Sequence, residues 1–239
     1  MNPRAVICDI YGTLLEVGPP PPDAGARWDL LWEDRLKTAP RLSLEQFSAE
    51  CDRIIAAEHA AARARGISCP EVYWPAVVSA VLPEFAHLSE PERSEFRFYQ
   101  AQMAHTVRLM PGVGDALRAL RHSVRVLGLA SNAQPYTVRE LDMALAGVGL
   151  SRDLFIPNLC FLSFEHGFGK PDPHVFQMLT ARLRALGIAA QETLLVGDRL
   201  DRDIEPARAC GWRTWQLTTE LEGMDSGPWP ALLQRLGLR

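Results

Sequence analysis

From Met110 onward, short apolar runs alternate with stretches of helical periodicity, and this alternation limits the fold more than any other feature of the sequence. The apolar runs lie at residues 124–129, 159–163, 193–196 and 212–217. Another apolar run, at residues 5–8, adds a strand near the start of the chain. Strands that alternate with helices form a parallel sheet covered by helices. The sequence therefore predicts an α/β fold with a doubly wound parallel sheet.

Three of these apolar runs are followed by polar residues: Asp9, Ser131 and Asp198. Ligand sites in such sheets lie beyond the carboxyl ends of the strands. After Asp9, Gly12 allows the backbone to turn sharply, which is how an α/β enzyme presents a nucleophile. We therefore expect the three side chains to meet at one edge of the sheet and to form an active site.

The stretch from about residue 24 to residue 105 has helical periodicity and no β alternation. Before it, the Gly-Pro-Pro-Pro-Pro run at residues 18–22 breaks regular structure and predicts a stiff linker. We therefore expect two parts. An α/β core comprises residues 1–17 and 106–239, and a helical module comprises residues 18–105.

Composition narrows the class of protein. Hydrophobic residues make up 47% of the 239 residues and charged residues 23%, as in ordinary globular proteins. No apolar stretch approaches the roughly 20 residues of a membrane span, and a net charge of −4 argues against nucleic acid as a partner. The five cysteines have no paired spacing, and the first strand leaves no room for a signal peptide. These features predict a cytoplasmic protein, and they leave its oligomeric state unknown.

The basic residues are almost all arginine, since only two of the 25 are lysine, Lys37 and Lys170. A lysine at a chemically meaningful position is therefore more informative than usual. Lys170 precedes Pro-Asp-Pro at the start of a predicted helix, which favours a functional role. Lys37 lies in a polar stretch, where we expect a solvated side chain.

Four separated motifs resemble, in the right order, those of the haloacid dehalogenase-like hydrolase superfamily. They are Asp9-Ile10-Tyr11-Gly12-Thr13-Leu14, Ala130-Ser131-Asn132, Gly169-Lys170-Pro171-Asp172-Pro173, and Val196-Gly197-Asp198 followed by Asp203. Each motif alone is weak, but four in order are specific. The resemblance covers the predicted core, and the helical module matches members whose helical cap closes over the active site and selects the substrate.

The resemblance implies an enzyme that acts on a small organic phosphate monoester through an aspartyl-phosphate on Asp9. Lys170 and Ser131 would stabilise the anionic oxygens as further catalytic residues. The substrate-binding residues implied are Tyr11, Gly12, Thr13 and Asn132. Family phosphatases also use Mg²⁺, which suits carboxylate and carbonyl oxygens. The metal-binding residues implied are Asp9, Tyr11 (through its carbonyl), Asp198 and Asp203.

Tyr11 departs from the phosphatase pattern. Family phosphatases carry a second Asp there, which protonates the leaving group, whereas a tyrosine, with a pKa of about 10, is a poor base near neutral pH. The 2-haloacid dehalogenases resemble this chain in having tyrosine there, but they carry serine and asparagine in the fourth motif. Asp198 and Asp203 give that motif its phosphatase form. The sequence favours a Mg²⁺-dependent phosphatase and leaves open a metal-independent dehalogenase or a catalytically weak phosphate-binding protein.

Several of these residues have simpler interpretations. Asp203 could cap the next helix, an interpretation nearly as favoured as a direct role. Ser131 and Asn132 could cap a helix while they also bind phosphate. We expect Tyr11 to line the substrate cavity rather than to transfer protons. His166 is expected to be a surface loop residue, with a substitute base as the alternative.

Overall fold

The computed structural model describes residues 3–220 and 223–238. Its strands are β1 (Ala5–Cys8), β2 (Leu15–Gly18), β3 (Thr106–Leu109), β4 (Val126–Ser131), β5 (Cys160–Leu162), β6 (Thr193–Gly197), β7 (Arg213–Leu217) and β8 (Ser226–Gly227). Six of them form one sheet in the order β5-β4-β1-β6-β7-β8, and every neighbouring pair is parallel. The parallel α/β sheet predicted from the sequence is confirmed.

Helices cover both faces of this sheet. The helices are α1 (Ala24–Leu36), α2 (Leu44–Ala64), α3 (Trp74–Val81), α4 (Glu90–Ala101), α5 (Val113–Ser123), α6 (Pro135–Ala146), α7 (Ser163–His166), α8 (Pro173–Ala185), α9 (Glu205–Ala209) and α10 (Trp229–Arg235). Successive side chains of β1 enter opposite layers: Val6 and Cys8 pack with α5, α6 and α10, whereas Ala5 and Ile7 pack with α8 and α9. Strand β1 is therefore buried on both faces, which explains its continuous apolar run.

Helices α1 to α4 form an insertion with its own apolar cluster. Trp28, Trp32, Phe47 and Phe96 lie at its centre, and Trp28 meets Phe96 edge-to-face with ring centroids 5.8 Å apart. We call residues 24–101 the helical insertion. The helices of the insertion carry apolar residues at helical spacing. The insertion therefore buries a core of its own, separate from the two layers around the sheet.

Two short strands connect the insertion to the sheet. Strands β2 and β3 pair antiparallel, with Leu15 opposite Leu109 and Gly18 opposite Thr106. We call this pair the connecting ribbon. No strand was predicted at either position, and the helical module was expected to extend to residue 105, so the ribbon is a feature that the sequence did not reveal. Each strand has only four residues, and its partner lies about ninety positions away in the chain, beyond the range of any local pattern.

Along the described residues, no helix combines the length and the apolar character that crossing a membrane requires.

Candidate active site

The turn after β1 brings Asp9 against the end of β6. Strand β1 ends at Cys8, and the Asp9 N–H donates to the carbonyl of Val196 at 2.9 Å. Gly12 has a φ of 73°, and a Cβ on it would lie 2.4 Å from Asp198 Oδ2. Glycine is therefore required at this position by the backbone conformation and by the approach of a carboxylate.

A cavity of about 450 Å³ opens at this edge of the sheet. Its floor holds most of the residues that the sequence analysis singled out: Asp9, Ser131, Asn132, Lys170, Asp198 and Asp203. Its walls come from the loop after β1 and from the connecting ribbon: Tyr11, Gly12, Glu16, Val17 and Met110. Arg199 and Arg202 complete the lining. The expectation that polar residues from separate strand ends meet at one edge agrees with this arrangement.

Lys170 is the cation of the cavity floor. Its ammonium donates to Asp9 Oδ1 at 2.8 Å and to Asp203 Oδ1, and only 3% of its side chain is exposed. Burial opposes the charge, but the carboxylates of Asp9 and Asp203 outweigh it and hold the pKa of Lys170 above its usual range. The lysine is therefore a fixed positive charge beside Asp9.

Asn132 fixes the loop that carries Lys170. Its side-chain amide donates to the Lys170 carbonyl at 2.9 Å and accepts from the Lys170 N–H at 2.7 Å. A Cβ on Gly169 would lie 2.5 Å from Asn132 Oδ1, so the glycine permits this contact. The sequence analysis assigned Asn132 to substrate, and the structure gives its side chain a second task, which is to position the lysine loop.

Three carboxylates converge on the floor. Oxygen atoms of Asp9, Asp198 and Asp203 all lie within 4.8 Å of one another. Burial, together with the nearby carboxylates of Asp9 and Asp203, raises the pKa of Asp198 to about 6. Asp198 Oδ1 is buried and has no hydrogen-bond partner among the described residues. An unpartnered buried oxygen in a cluster of hard oxygen donors fits a small divalent cation, which these three residues could hold.

Asp203 lies inside the site rather than at a helix cap. It is fully buried on a π-helical turn, Leu200–Ile204, and its Oδ2 accepts the Arg199 N–H at 3.0 Å. A Cβ on Gly197 would lie 2.6 Å from the Asp203 side chain, so a glycine at the end of β6 makes room for it. Asp203 therefore does more than cap the turn, because its other oxygen accepts from Lys170.

Tyr11 lines the cavity, but its hydroxyl points into a separate cluster. It donates to Glu140 Oε2, and His105 Nε2 lies 3.5 Å from it. Glu140 Oε1 accepts from Gln102 Nε2 and lies 3.0 Å from His105 Nε2. We call these four residues the Glu140 cluster. Burial and then Glu140 raise the pKa of Tyr11 well above its usual value, so its hydroxyl stays protonated.

The Glu140 cluster was not predicted, although the sequence of α6 contains one signal of a buried charged residue. Glu140 lies between Thr137 and Leu141 on the face of α6 that faces the interior, and only 2% of it is exposed. A charged residue at a position of apolar periodicity indicates a buried partner. That the partner is Tyr11, 129 positions away, is beyond any local pattern.

Some of the predicted residues lie outside the cavity lining. Thr13 is buried, and its carbonyl accepts from Trp229 Nε1 at 3.0 Å. His166 stacks on Phe161, with ring centroids 4.5 Å apart. Lys37 is exposed just after α1. These three side chains are not among the groups that surround Asp9.

The helical insertion touches the lysine loop without lining the cavity. The Gly169 N–H donates to the Cys69 carbonyl at 2.9 Å, and the Glu71 N–H donates to the Gly167 carbonyl at 3.0 Å. Within the described ranges, no residue between Val17 and Met110 lines the cavity. The expectation that the helical module selects the substrate therefore has no support in this lining, which comes from the core and the ribbon.

A family model of haloacid dehalogenase-like hydrolases matches residues 3–211. The chain belongs to this family. The hydrolase is 36% identical over 105 residues to a phosphoserine phosphatase of Thermus thermophilus, covering 44% of this chain and 39% of the relative. It is 34% identical over 108 residues to a glyceraldehyde 3-phosphate phosphatase of Pyrococcus abyssi, covering 45% and 42%. These matches span about two fifths of each relative.

Solved structures agree with the family and the fold. The hydrolase matches a 2-haloacid dehalogenase from Pseudomonas syringae with a TM-score of 0.61 and 22% sequence identity, over 99% of both chains. At this identity the likeness shows the fold. The relatives and neighbours of the hydrolase thus include phosphatases and dehalogenases.

Proposed function

We propose that this hydrolase is a Mg²⁺-dependent phosphatase that acts on a small organic phosphate monoester. One observation carries the proposal: the carboxylates of Asp9, Asp198 and Asp203 crowd together, and the ammonium of Lys170 contacts only Asp9 and Asp203 among them. Such a floor needs more positive charge than one lysine supplies. A phosphatase brings a divalent cation that compensates these acids, whereas a metal-independent dehalogenase would leave them uncompensated beside the carboxylate of a 2-haloacid.

Asp9 is the proposed nucleophile. One of its carboxylate oxygens attacks phosphorus, the bond between phosphorus and the ester oxygen breaks, and its electron pair leaves with the alcohol, which takes a proton from solvent. Water then attacks the phosphorus of the aspartyl-phosphate, which releases inorganic phosphate and regenerates Asp9. Lys170 holds Asp9 Oδ1 at 2.8 Å and thereby orients the carboxylate for attack through Oδ2. The Ser131 hydroxyl stabilises the phosphoryl oxygens.

The floor fits Mg²⁺ because its donors are hard oxygens and because Asp198 Oδ1 is buried without a partner among the described residues. Asp9, Asp198 and the carbonyl of Tyr11 would hold the ion, with Asp203 close by. When bound, Mg²⁺ supplies positive charge that neutralises the phosphoryl oxygens. Asp203 also holds Lys170 in place through its other contact.

Tyr11 is not the acid of this reaction. Its hydroxyl donates to Glu140, and its raised pKa keeps the proton on the oxygen. The leaving alcohol must then depart without a carboxylic acid at that position, so esters of acidic alcohols react faster than esters of alkyl alcohols.

We also propose that residues 18–105 form a cap over a core of residues 1–17 and 106–239. The separate apolar cluster of the helical insertion and its connection through a two-stranded ribbon support this division. The hydrogen bonds of residues 69 and 71 with the loop that carries Lys170 also support a cap beside the site.

The test is hydrolysis of p-nitrophenyl phosphate with Mg²⁺ and with EDTA, in parallel with chloride release from 2-chloropropionate. We expect phosphate release that EDTA abolishes and that Asp9→Asn lacks, with both proteins equally folded by circular dichroism. Chloride release that EDTA leaves unchanged would establish the dehalogenase instead. Phosphate binding without any turnover would indicate a binding protein.

A further inference from the structure

The charge of the cavity differs between its floor and its opening. On the floor, the carboxylates of Asp9, Asp198 and Asp203 are balanced by Lys170 together with the divalent cation of the proposed function. At the opening, Glu16 is held by Arg108 through two hydrogen bonds of 2.7 and 2.9 Å. The floor with its cations and the Glu16–Arg108 pair are therefore each close to neutral, so neither provides a net charge that would attract a charged group of a substrate.

Two exposed arginines, Arg199 and Arg202, also line the cavity, and both form ion pairs with Asp201. Arg199 donates twice to Asp201, at 3.0 and 3.2 Å, in a forked pair. Arg202 approaches Asp201 only to 3.9 Å, and it makes no hydrogen bond with any described residue. About half of the Arg202 side chain is exposed, at 51%. One guanidinium of the cavity lining therefore keeps its donors for a ligand.

The backbone places Arg202 next to the reaction centre. It precedes Asp203 on the π-helical turn Leu200–Ile204, and Asp203 holds Lys170. Turns of this kind occur frequently at functional sites. The exposed apolar side chain of Val17 and the half-buried Met110 line the same cavity, and a short carbon skeleton can contact them.

We propose that Arg202 selects substrates that carry a carboxylate in addition to the phosphate. This rests on the proposed phosphatase function and adds the substrate class to it. The phosphate binds on the floor, the carbon skeleton contacts Val17 and Met110, and the carboxylate accepts hydrogen bonds from the Arg202 guanidinium. A planar guanidinium matches a carboxylate with two parallel hydrogen bonds.

The test compares phosphoglycolate with ethyl phosphate, which has a methyl group in place of the carboxylate. We expect the parent to prefer phosphoglycolate in kcat/KM, and Arg202→Ala to reduce that preference by about tenfold, the ratio that 1.4 kcal/mol gives, chiefly through KM. Arg202→Lys retains part of the preference. Arg53→Ala is the matched control, because Arg53 pairs only with Glu50 on the exposed side of α2. An equal preference in Arg202→Ala and the parent overturns the inference.

A binding measurement separates this inference from the proposed function. Asp9→Asn removes the nucleophile, so calorimetry can measure the Kd for phosphoglycolate without turnover. We expect Asp9→Asn/Arg202→Ala to bind phosphoglycolate about tenfold more weakly than Asp9→Asn. If the parent hydrolyses neither ester, the phosphatase function fails while this comparison still decides the role of Arg202. An unchanged Kd in the double variant overturns that role.

Discussion

Two buried carboxylate clusters lie close to the loop that follows β1, and they differ in how their oxygens are satisfied. On the cavity floor, Asp198 Oδ1 lacks a partner among the described residues, and Lys170 contacts the other two acids, Asp9 and Asp203. In the Glu140 cluster, both carboxylate oxygens accept hydrogen bonds, from Tyr11 and Gln102. The floor thus leaves one buried carboxylate oxygen unpaired among the described residues, whereas the Glu140 cluster is closed. We therefore expect substitutions on the floor to change catalysis and those in the Glu140 cluster to change stability.

The largest expected effect is at Lys170. Lys170→Ala removes the cation to which the proposed mechanism assigns the orientation of Asp9 and the stabilisation of the phosphoryl group, so we expect kcat to fall by about 10³-fold in a steady-state assay. Lys37→Ala is the control, because Lys37 is exposed and outside the cavity lining. Loss of activity in Lys37→Ala with retention in Lys170→Ala would contradict the floor assignment and indicate that the reaction uses the amine of Lys37.

The next largest effect on catalysis is expected at Tyr11, which lines the cavity and also belongs to the Glu140 cluster. Tyr11→Asp places a carboxyl group where family phosphatases hold their acid, so it should speed hydrolysis of an alkyl phosphate more than that of an aryl phosphate. We expect the aryl-to-alkyl rate ratio to fall by about 10²-fold, the lower end of general-acid effects. Tyr11→Phe serves as the control, because it removes the hydroxyl without adding an acid. A parent that hydrolyses both esters equally fast would mean that another residue supplies the proton.

A variant of Asp198 tests whether the floor binds a divalent cation. Mg²⁺ at 100 times its Kd should stabilise the parent by about 2.7 kcal/mol through mass action, which a thermal melt detects as a higher Tm. Asp198→Asn removes the charge that attracts the ion, so the same Mg²⁺ concentration should raise its Tm by much less. Equal Mg²⁺ affinity of variant and parent would show that the metal assignment is wrong.

The smallest effect belongs to the closed cluster. Glu140→Ala leaves the donors of Tyr11 and Gln102 without their acceptor, so we expect a loss of about 2 kcal/mol in the free energy of unfolding. Urea denaturation measures it, with Glu50→Ala as the control at an exposed glutamate of α2. A variant as stable as the control would mean that the cluster is not closed by these hydrogen bonds.

The fold and part of the floor were predictable because their signals are local. Strand β1 is buried on both faces and therefore forms an unbroken apolar run, and the acid that ends it marks the edge of the sheet. The four motifs in their family order then predicted that Lys170 and Asp203 belong to the same site. The sequence explains glycine at position 12 by the sharp turn after Asp9. The structure adds a second reason, which is the close approach of the Asp198 carboxylate.

The remainder depends on contacts between distant segments. Tyr11 and Glu140 meet across 129 positions, and the two strands of the ribbon pair across about ninety. Arg202 lies in a charged segment that is indistinguishable from a solvated surface until the π-helical turn places it at the cavity. Thr13 belongs to the first motif, yet its side chain is buried beside the cavity rather than in it, because a motif does not fix where each side chain points.

The scarcity of lysine has a practical consequence for labelling. Lys170 is buried and engaged by two carboxylates, whereas Lys37 is exposed at the end of α1. Apart from the α-amino group, the folded chain therefore offers an amine-reactive dye one accessible side chain, and that side chain lies just beyond a helix of the insertion. A fluorophore attached to Lys37 would report on the position of the insertion relative to the sheet, and it would leave the buried amine of Lys170 unmodified.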